Sequence, residues 1–401
     1  MRSYWGNGMQ RVPIAQVAGE PSTWNPKGSA SNEPFRYIDI SSIDPAEKRI
    51  RTVVTIAPAE APSRARQLVR SGDVLVSTVR PNLNAVAVVP DDLDGATAST
   101  GFTVLRPDMA SVDPRYLYYW VRSPKFVSEM TARATGASYP AVTEGVVRDS
   151  RLPLPPLAEQ RRIAAVLDRA DAIRRKRRES LRLLDEFLRS AFLEMFGDPV
   201  RNPKSWRTGT LGDLIEGPEN GLYRPASDYG TGTPIVRIDS FYDGEITAIE
   251  ALKRVRLSED AVAKYALQQD DILINRVNSR EFLGKSAVVP TLKEPTVFES
   301  NMMRLRVDMQ VVHPRYLVSL LQTPYFKRQV LRRTKDAVNQ ASINQDDVRS
   351  FEIRIPPLEL QNRFVSLLDR VAGVRKLFEA LIEQTESLFD SLAQRAFRGE
   401  L

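Results

Sequence analysis

The chain has 401 residues, with 57 Lys and Arg against 50 Asp and Glu, no cysteine and a single histidine, His313. One hydrophobic core rarely grows beyond ~250–300 residues, so the length predicts at least two domains. The missing cysteines exclude disulfides, cysteine-ligated zinc and thiol catalysis, and one histidine excludes a histidine-rich metal site. The net charge of +7 suits a polyanionic partner. No apolar run reaches the ~18 residues of a membrane helix, and the first residues lack a signal-peptide core, which predicts a cytoplasmic protein.

The sequence repeats itself with a period of about 200 residues. Ile38-Asp39 returns as Ile238-Asp239, and further matched segments follow in the same order along the chain. The repeat predicts two copies of one unit, related by pseudo-two-fold symmetry. The further matches are 72–76 with 270–274, 105–109 with 305–309, 114–117 with 314–317, and 167–169 with 368–370.

Each copy opens with a strand-rich part. In the first copy, the apolar runs at 73–79, 84–89 and 102–105 are expected to form buried strands. Asp113 followed by Pro114 then predicts the N-cap and first residue of a short helix. In the second copy His313 stands at the place of Asp113, and we interpret it as a surface residue at a cap position rather than a catalytic group.

Each copy closes with a long helix. Pro155-Pro156 and Pro356-Pro357 end the preceding strands, and apolar residues then recur at alternating spacings of four and three, which is typical of a coiled coil. One such helix cannot bury its apolar stripe alone, so we expect the two helices to pair antiparallel, over about 60 Å at 1.5 Å per residue. Four members of the predicted seam are polar, namely Arg174, Arg177, Arg375 and Thr385. The full seam is Ile163, Leu167, Ala170, Arg174, Arg177, Leu181, Leu184, Leu188, Ala191 and Met195, with Phe364, Leu368, Val371, Arg375, Phe378, Ile382, Thr385, Phe389, Leu392 and Ala396.

Motifs of catalysis are absent from the sequence. It contains no phosphate-binding loop, no dinucleotide fingerprint, no amino-methyltransferase motif of the Asn-Pro-Pro-Tyr type and no Glu-x-Lys nuclease tail. The pattern therefore favours a recognition protein over an enzyme.

Two stretches are rich in positive charge. Five consecutive basic residues, 174–178, lie in the first long helix, where a solvated helix face explains them as well as phosphate contact does. The second stretch lies before a polar loop of the second copy and includes Lys327-Arg328. Its residues Arg332, Arg333 and Lys335 are predicted to contact DNA phosphates.

Two loops in each copy carry side chains suited to base edges. One follows the central strand and the other precedes the Pro-Pro pair. Arginine reads guanine and Asn or Gln reads adenine in the major groove, although turn chemistry would also favour Asn, Ser and Gly here. The candidates are Arg80, Asn82, Asn84, Ser138 and Tyr139 in the first copy, and Arg276, Asn278, Ser279, Arg280, Asn339, Gln340 and Asn344 in the second.

One motif in particular links the chain to a known family. The stretch 154–163 reads Leu-Pro-Pro-Leu-Ala-Glu-Gln-Arg-Arg-Ile, and 355–361 repeats it as Ile-Pro-Pro-Leu-Glu-Leu-Gln. With the Gly-Asp-Val-Leu strand at Gly72, the Trp206 start of the second copy and the C-terminal Ala-Phe-Arg-Gly-Glu-Leu, the sequence resembles the DNA-specificity subunit of type I restriction-modification systems. The resemblance implies an α/β (α+β) fold with target-recognition domains at 1–155 and 199–355 and coiled-coil helices at 156–198 and 356–401.

The resemblance also implies a role. Each recognition domain reads one half of a bipartite, asymmetric double-stranded DNA site, and the helices set the spacing. The chain itself is expected to be non-catalytic and to bind neither cofactor nor metal. Methyltransferase subunits, two of them, would dock on the helices with S-adenosylmethionine, and restriction/translocase subunits would use ATP and Mg. Two alternatives stay open: a specificity-like subunit of another phage-defence methylation system, and a protein-binding scaffold without a DNA role.

Overall fold

The structure is a computed structural model that describes residues 10–30, 32–337 and 340–401. The chain forms two compact units. Unit 1 comprises the chain up to Leu181 together with Leu377–Leu401, and unit 2 comprises Arg182–Lys376. Both units combine sheets with helices, which confirms the predicted α/β (α+β) class and the two repeated parts. Within the described residues, no helix is both long enough and apolar enough to cross a bilayer.

The sheets of unit 1 contain the three predicted strands. Val74–Ser77 lies between Val86–Val88 and Phe102–Pro107, antiparallel to both, and all four of its residues are buried. Ala18–Gly19 completes this four-stranded sheet, and a second sheet of five strands runs in the order 22–23, 65–68, 97–99, 35–38 and 54–56. The strands are Arg11–Pro13, Ala18–Gly19, Ser22–Thr23, Phe35–Ile38, Ile43–Asp44, Arg49–Ile50, Val54–Ile56, Ala65–Leu68, Val74–Ser77, Val86–Val88, Thr97–Ser99, Phe102–Pro107 and Arg151–Pro153.

Unit 2 repeats the central arrangement. Ile272–Asn275 lies between Ser286–Val288 and Met302–Val307, again antiparallel to both, at the centre of a six-stranded sheet. The strands are Arg207–Thr210, Ile215–Asn220, Tyr229–Val236, Phe241–Tyr242, Gly244–Ile246, Arg254–Val255, Ile272–Asn275, Val277–Asn278, Ser286–Val288, Val297–Phe298, Met302–Val307, Lys335–Ala337, Gln340–Ser342 and Glu352–Ile355.

Two long helices and several short ones pack on these sheets. Asp113 caps the first short helix, because its Oδ1 accepts hydrogen bonds from the backbone N–H groups of Arg115 at 3.0 Å and Tyr116 at 3.2 Å. His313 caps the matching helix of unit 2, which confirms the predicted cap positions. The helices are α1 Pro114–Arg122, α2 Pro124–Arg133, α3 Glu144–Asp149, α4 Leu157–Phe196, α5 Glu259–Tyr265, α6 Pro314–Leu321, α7 Pro324–Arg333, α8 Gln345–Arg349 and α9 Leu358–Ala396.

The long helices α4 and α9 pair antiparallel, as predicted. Within unit 1 the guanidinium of Arg174 lies over the ring of Phe389, and Arg178 forms an ion pair with Glu386. Within unit 2, later residues of α4 meet earlier residues of α9, since the ring of Phe192 lies 5.5 Å from that of Phe364. Every residue of the predicted seam is buried or half-buried.

The polar members of the seam have partners within the helix pair. Nη1 of Arg177 donates to the backbone oxygen of Leu381 at 2.5 Å, and Oγ1 of the buried Thr385 donates to that same oxygen. Arg375 forms an ion pair with Asp185. The donors of Arg177 and Thr385 are thus hydrogen-bonded, as buried polar groups usually are, whereas Nε of Arg174 is buried and has no hydrogen-bond partner among the described residues.

A buried glutamine fixes the start of each long helix. Oε1 of Gln160 accepts a hydrogen bond from the N–H of Asp113 at 2.9 Å, and its Nε2 donates to the oxygens of Ser111 and Pro155. Gln361 makes the equivalent set of bonds in unit 2, to His313, Val311 and Pro356. The second copy of the Pro-Pro motif therefore keeps the glutamine that makes these hydrogen bonds, although Leu360 replaces the glutamate of the first copy.

Candidate nucleic-acid interface

The two candidate loops of unit 1 form one continuous surface. Backbone hydrogen bonds join them: the N–H of Arg80 donates to the oxygen of Pro140 at 2.7 Å, and the N–H of Val142 donates to the oxygen of Thr78 at 2.9 Å. The first loop leaves the end of the buried strand Val74–Ser77, so the sheet sets its position. The predicted loops are thus neighbours in space although about 60 residues separate them in the sequence.

Four of the five unit 1 candidates are exposed on this surface. Asn82 and Ser138 point side chains outward, and Tyr139 is 69% exposed. The guanidinium carbon of Arg80, also exposed, lies 4.8 Å from the centroid of the Tyr139 ring. This contact joins one side chain from each loop, and it places a cation and an aromatic face where a nucleic acid could reach them.

The fifth candidate, Asn84, supports the loop from within. Its backbone is left-handed, with φ of 47°, and its Nδ2 donates to the oxygen of Val121 at 2.8 Å. Nζ of Lys48 donates to the oxygens of Leu83 at 3.3 Å and Asn84 at 2.6 Å. Burial and the neighbouring arginines of α1 and α4 lower the pKa of Lys48 to about 8. The structure therefore favours a supporting role for Asn84 over a base contact, and adds Lys48 as a second support that the sequence did not reveal.

The candidate loops of unit 2 also meet. Val277–Asn278 pairs with Gln340–Ser342, which pairs in turn with Lys335–Ala337, so the three short strands form a small sheet. The N–H of Ile343 donates to the oxygen of Arg276 at 3.0 Å and extends the contact. The second candidate loop of each unit therefore folds back on the end of the central strand.

A polar pocket of about 290 Å³ opens beside this small sheet. Arg276 is half-buried in its wall, where Nη1 donates to the oxygen of Ser300 at 3.0 Å and Nε has no partner among the described residues. Asn220, which the sequence did not single out, also lines it, as does Gln345 at the end of the second candidate loop. The lining residues are Asn220, Arg276, Met303, Asn344, Gln345 and Asp346.

The remaining candidates of this sheet differ in how free their side chains are. Lys335 and Gln340 are exposed. Arg280 instead forms an ion pair with Asp336 through two hydrogen bonds, and this contact lowers the pKa of the Asp336 carboxyl. Ser279 is exposed, and its N–H donates to Oδ1 of the half-buried Asn278 at 2.8 Å. Asn339 lies outside the described residues.

Asn344 is the N-cap of α8. Its Oδ1 accepts from the N–H of Asp347 at 2.8 Å, and the Asp347 carboxylate accepts from the N–H of Asn344 at 2.8 Å. This reciprocal capping box uses the side-chain oxygen that a base contact would need. The structure therefore gives Asn344 a helix-capping role, for which the Asn-x-x-Asp spacing was a usable signal, and its contact with DNA stays a prediction.

The basic residues near the end of α7 differ in role: some are exposed, and others form contacts that hold the fold together. Arg332 is exposed, whereas Arg333 stacks on the ring of Phe351 at 5.3 Å and donates to the backbone of Gln329 and Ser350. Nζ of Lys327, which was grouped with them from the sequence, donates to the oxygens at 280, 281 and 283 and so fixes the first candidate loop.

The basic run in α4 is neither a solvated face nor a free phosphate clamp. Asp171, 1% exposed, forms ion pairs with Arg122 at 2.9 Å, with Arg174 at 2.5 Å and with Arg175. Burial alone would raise the pKa of Asp171, but the arginines, Arg122 first, lower it below its ordinary value. Arg178 in turn donates to the backbone oxygen of Ala46 at 3.1 Å. Arg174, Arg175 and Arg178 are therefore held in ion pairs inside unit 1, whereas Lys176 of the same run is exposed.

A family match covers most of the chain. The model of the family described as the type I restriction modification DNA specificity domain matches residues 67–183 and 203–386. The chain belongs to this family. Its members are non-catalytic specificity subunits, and their part in the restriction-modification system is recognition of the DNA target.

Relatives and solved structures agree with the family. The chain is 25% identical over 313 residues to the StySPI specificity subunit of Salmonella potsdam, covering 74% of this chain and 67% of the relative. It is 22% identical to the EcoKI specificity subunit of Escherichia coli K12, covering 74% and 68%. A chain solved in work on complex assembly and conformational transition of the type I R-M system is 28% identical and aligns with a TM-score of 0.63 over 98% of this chain and 99% of its own. The S subunit of M. genitalium, 12% identical, shares the fold with a TM-score of 0.55 over 98% of this chain and 97% of its own.

Proposed function

We propose that this specificity subunit reads a bipartite, asymmetric double-stranded DNA target, one half with each unit. One observation carries the proposal: in each unit, backbone hydrogen bonds join the two candidate loops into one surface at the end of a buried central strand. Rigid strands that position exposed loops are a common arrangement for recognition. Base edges in the major groove are read by the donor and acceptor side chains that these loops present.

The two surfaces offer different chemistry, which supports an asymmetric target. Unit 1 exposes Arg80, Asn82 and Tyr139, whereas the candidate arginine Arg280 of unit 2 is paired with Asp336. Duplicated scaffolds with unlike loops would bind unlike sequences, because direct readout depends on which donors and acceptors reach the groove. We therefore expect two half-sites that differ from each other.

The long helices are proposed to set the distance between the half-sites and to dock two methyltransferase subunits. Helix α4 has 40 residues, which corresponds to about 60 Å at 1.5 Å per residue. In this proposal the methyltransferase subunits carry S-adenosylmethionine, and restriction/translocase subunits use ATP and Mg. The specificity subunit contributes DNA binding alone and holds no cofactor.

The proposal can be tested by expressing the chain with the methyltransferase encoded beside it and mapping the methylated sequence in the host genome. We expect one bipartite motif with a spacer of fixed length, which disappears when the specificity subunit is omitted. A neighbouring methyltransferase gene that is not of the type I kind would favour another phage-defence methylation system. Absent DNA binding, or binding insensitive to salt, would favour a protein-binding scaffold, since phosphate contacts make DNA affinity fall steeply with salt.

A further inference from the structure

We propose that Arg80 reads a guanine in the half-site of unit 1, and that Tyr139 is the positioning residue that holds its guanidinium for this contact. The inference rests on the proposed function and deepens it, because it names one base and the two side chains that select it. Three observations carry it: the backbone conformation of Arg80, its contact with Tyr139, and the lack, among the described residues, of any partner that occupies its donors.

The backbone at Arg80 is fixed in an unusual conformation. Its φ of 48° lies in the left-handed region, which residues other than glycine adopt rarely. The hydrogen bond from its N–H to the oxygen of Pro140 holds it there, and Pro81 follows directly as the first residue of a short 3-10 turn. Such disfavoured conformations persist only where the surroundings impose them, and they concentrate at functional sites.

The side chain is held as well. The guanidinium lies 4.8 Å from the ring centroid of Tyr139, a residue of the other loop. The turn that presents Tyr139 depends on Gly136, which has a φ of 104° and whose replacement would place a Cβ 2.9 Å from the Tyr139 backbone oxygen. Both ends of the contact are therefore set by the backbone before any ligand arrives.

The donors of Arg80 are available. Across the described part of the chain, its guanidinium takes part in no ion pair and donates no hydrogen bond, whereas Arg276 donates to a backbone oxygen and Arg280 is paired with Asp336. Guanidinium offers five N–H donors in a planar fork, and that fork matches O6 and N7 of guanine with two parallel bonds.

The constraint favours a base edge over a phosphate. A phosphate needs only a nearby positive charge, which a mobile surface side chain supplies, whereas a bidentate contact needs a fork held in one orientation. The contact with the Tyr139 ring restricts where the guanidinium can lie, and the hydrogen-bonded loops fix the backbone from which the side chain starts. A side chain so held discriminates between bases, because misaligned acceptors leave its donors unpaired.

The test is methylation mapping of the complete complex with four variants and one control. We expect Arg80→Ala and Arg80→Lys to relax a single G·C position of one half-site by roughly 5- to 150-fold, the discrimination expected of one bidentate pair. Tyr139→Ala should relax the same position to a smaller extent, and Tyr139→Phe should leave it unchanged because the ring remains. Arg70→Ala is the matched control, since Arg70 is an exposed arginine before the strand that Arg80 follows.

The outcomes separate this inference from the function on which it rests. If the wild-type complex methylates no defined motif, both fall. If it does and Arg80→Ala lowers methylation of all sites equally, Arg80 is a phosphate contact and the guanine assignment is wrong. A change at an A·T position, or full specificity in both Arg80 variants, would also overturn it. Retained specificity in Tyr139→Ala would remove Tyr139 alone from the proposal.

Discussion

The backbone N–H of Arg315 donates to Nδ1 of His313 at 3.2 Å, where Arg115 of unit 1 donates to the carboxylate of Asp113 at 3.0 Å. An imidazole nitrogen accepts a hydrogen bond only while it carries no proton. Burial is the main cause that lowers the pKa of His313, and the charge of Arg315 lowers it further. The carboxylates of Asp270 and Asp369 raise this pKa but do not outweigh the lowering. The cap of this helix in unit 2 is thus sensitive to mild acid through His313.

This difference predicts a pH-dependent stability. A lowered pKa in the native state means that the unfolded chain binds the proton more readily, so the free energy of unfolding falls as the pH drops from about 6.5 through the native pKa. His313→Asp should abolish this part of the fall, and Asp113→His should introduce a similar one in unit 1, each on the order of 1 kcal/mol for one cap. Urea unfolding at pH 7 and pH 5 measures both. An identical pH dependence in wild type and His313→Asp would contradict the prediction.

The second prediction concerns Gln160. Gln160→Leu leaves the N–H of Asp113 and the carbonyls of Ser111 and Pro155 without their partner, so we expect a loss of at least about 3 kcal/mol, at 1–3 kcal/mol for each of the three unsatisfied groups. Denaturant unfolding provides the value. The exposed Gln16→Leu is the control and should stay within about 0.5 kcal/mol of wild type. Equal stability of the two variants would show that the buried glutamine is dispensable.

The third prediction tests the helix pair in unit 1. Phe389 is buried, and its ring contacts Arg174 at 4.5 Å and Arg122 at 5.3 Å. Phe389→Ala should cost about 3–5 kcal/mol, as for other buried aromatic residues. Leu388→Ala, one residue earlier and 56% exposed, should change little. Thermal unfolding of both variants measures the two losses of stability. A larger loss for Leu388→Ala would mean that the face of α9 that packs against α4 has been misassigned.

The fourth prediction concerns phosphate contacts in unit 2. Arg332 and Lys335 are exposed, so Arg332→Ala with Lys335→Ala should weaken binding to every DNA sequence and flatten the salt slope by about 1.8, at ~0.9 per phosphate. Arg333→Ala should instead lower stability, because Arg333 packs on Phe351. Binding titrations of the complex at several salt concentrations measure the slope, with Lys264→Ala on α5 as the control. Weakening confined to one base position would show that these residues read sequence.

The fifth prediction concerns modularity. The candidate loops precede the Pro-Pro pairs, and the helix seam follows them. Exchanging residues 1–153 for the matching segment of a relative should therefore change one half-site and leave the other half-site and the spacer intact. Methylation mapping of the chimera gives the readout. Alteration of both half-sites would mean that the two units do not read DNA independently.

The helix pair was predictable because its signal is periodic and local. A 4-3 spacing maintained through α4 and repeated in α9 has one simple explanation, and polar interruptions such as Arg177 and Thr385 did not obscure it. Capping was predictable for the same reason, since Asp113-Pro114 is a short-range signal. Where the sequence pattern is local, the structure follows it closely.

Partners that are distant in sequence could not be predicted. Arg280 meets Asp336 across 56 residues, and Asp171 meets Arg122 across 49, and neither spacing carries a signal. Charge runs therefore overstated the surface available to DNA, because several of their members form ion pairs inside the fold. The pocket lined by Asn220 and Gln345 escaped notice likewise, since it exists only once the central strand brings both segments together.

The buried glutamine at the start of each long helix limits how many residues can be inserted into or deleted from that helix. Gln160 fixes the direction in which α4 begins, and the seam then repeats every seven residues. Inserting one residue would turn everything beyond it by about 100°, whereas inserting seven turns the seam by only ~20° from its former direction. Insertions and deletions that survive in this stretch should therefore favour seven residues, made in α4 and α9 together, with three or four residues requiring local over- or unwinding of the helix pair. Spacer lengths among such proteins should accordingly change in discrete steps rather than continuously.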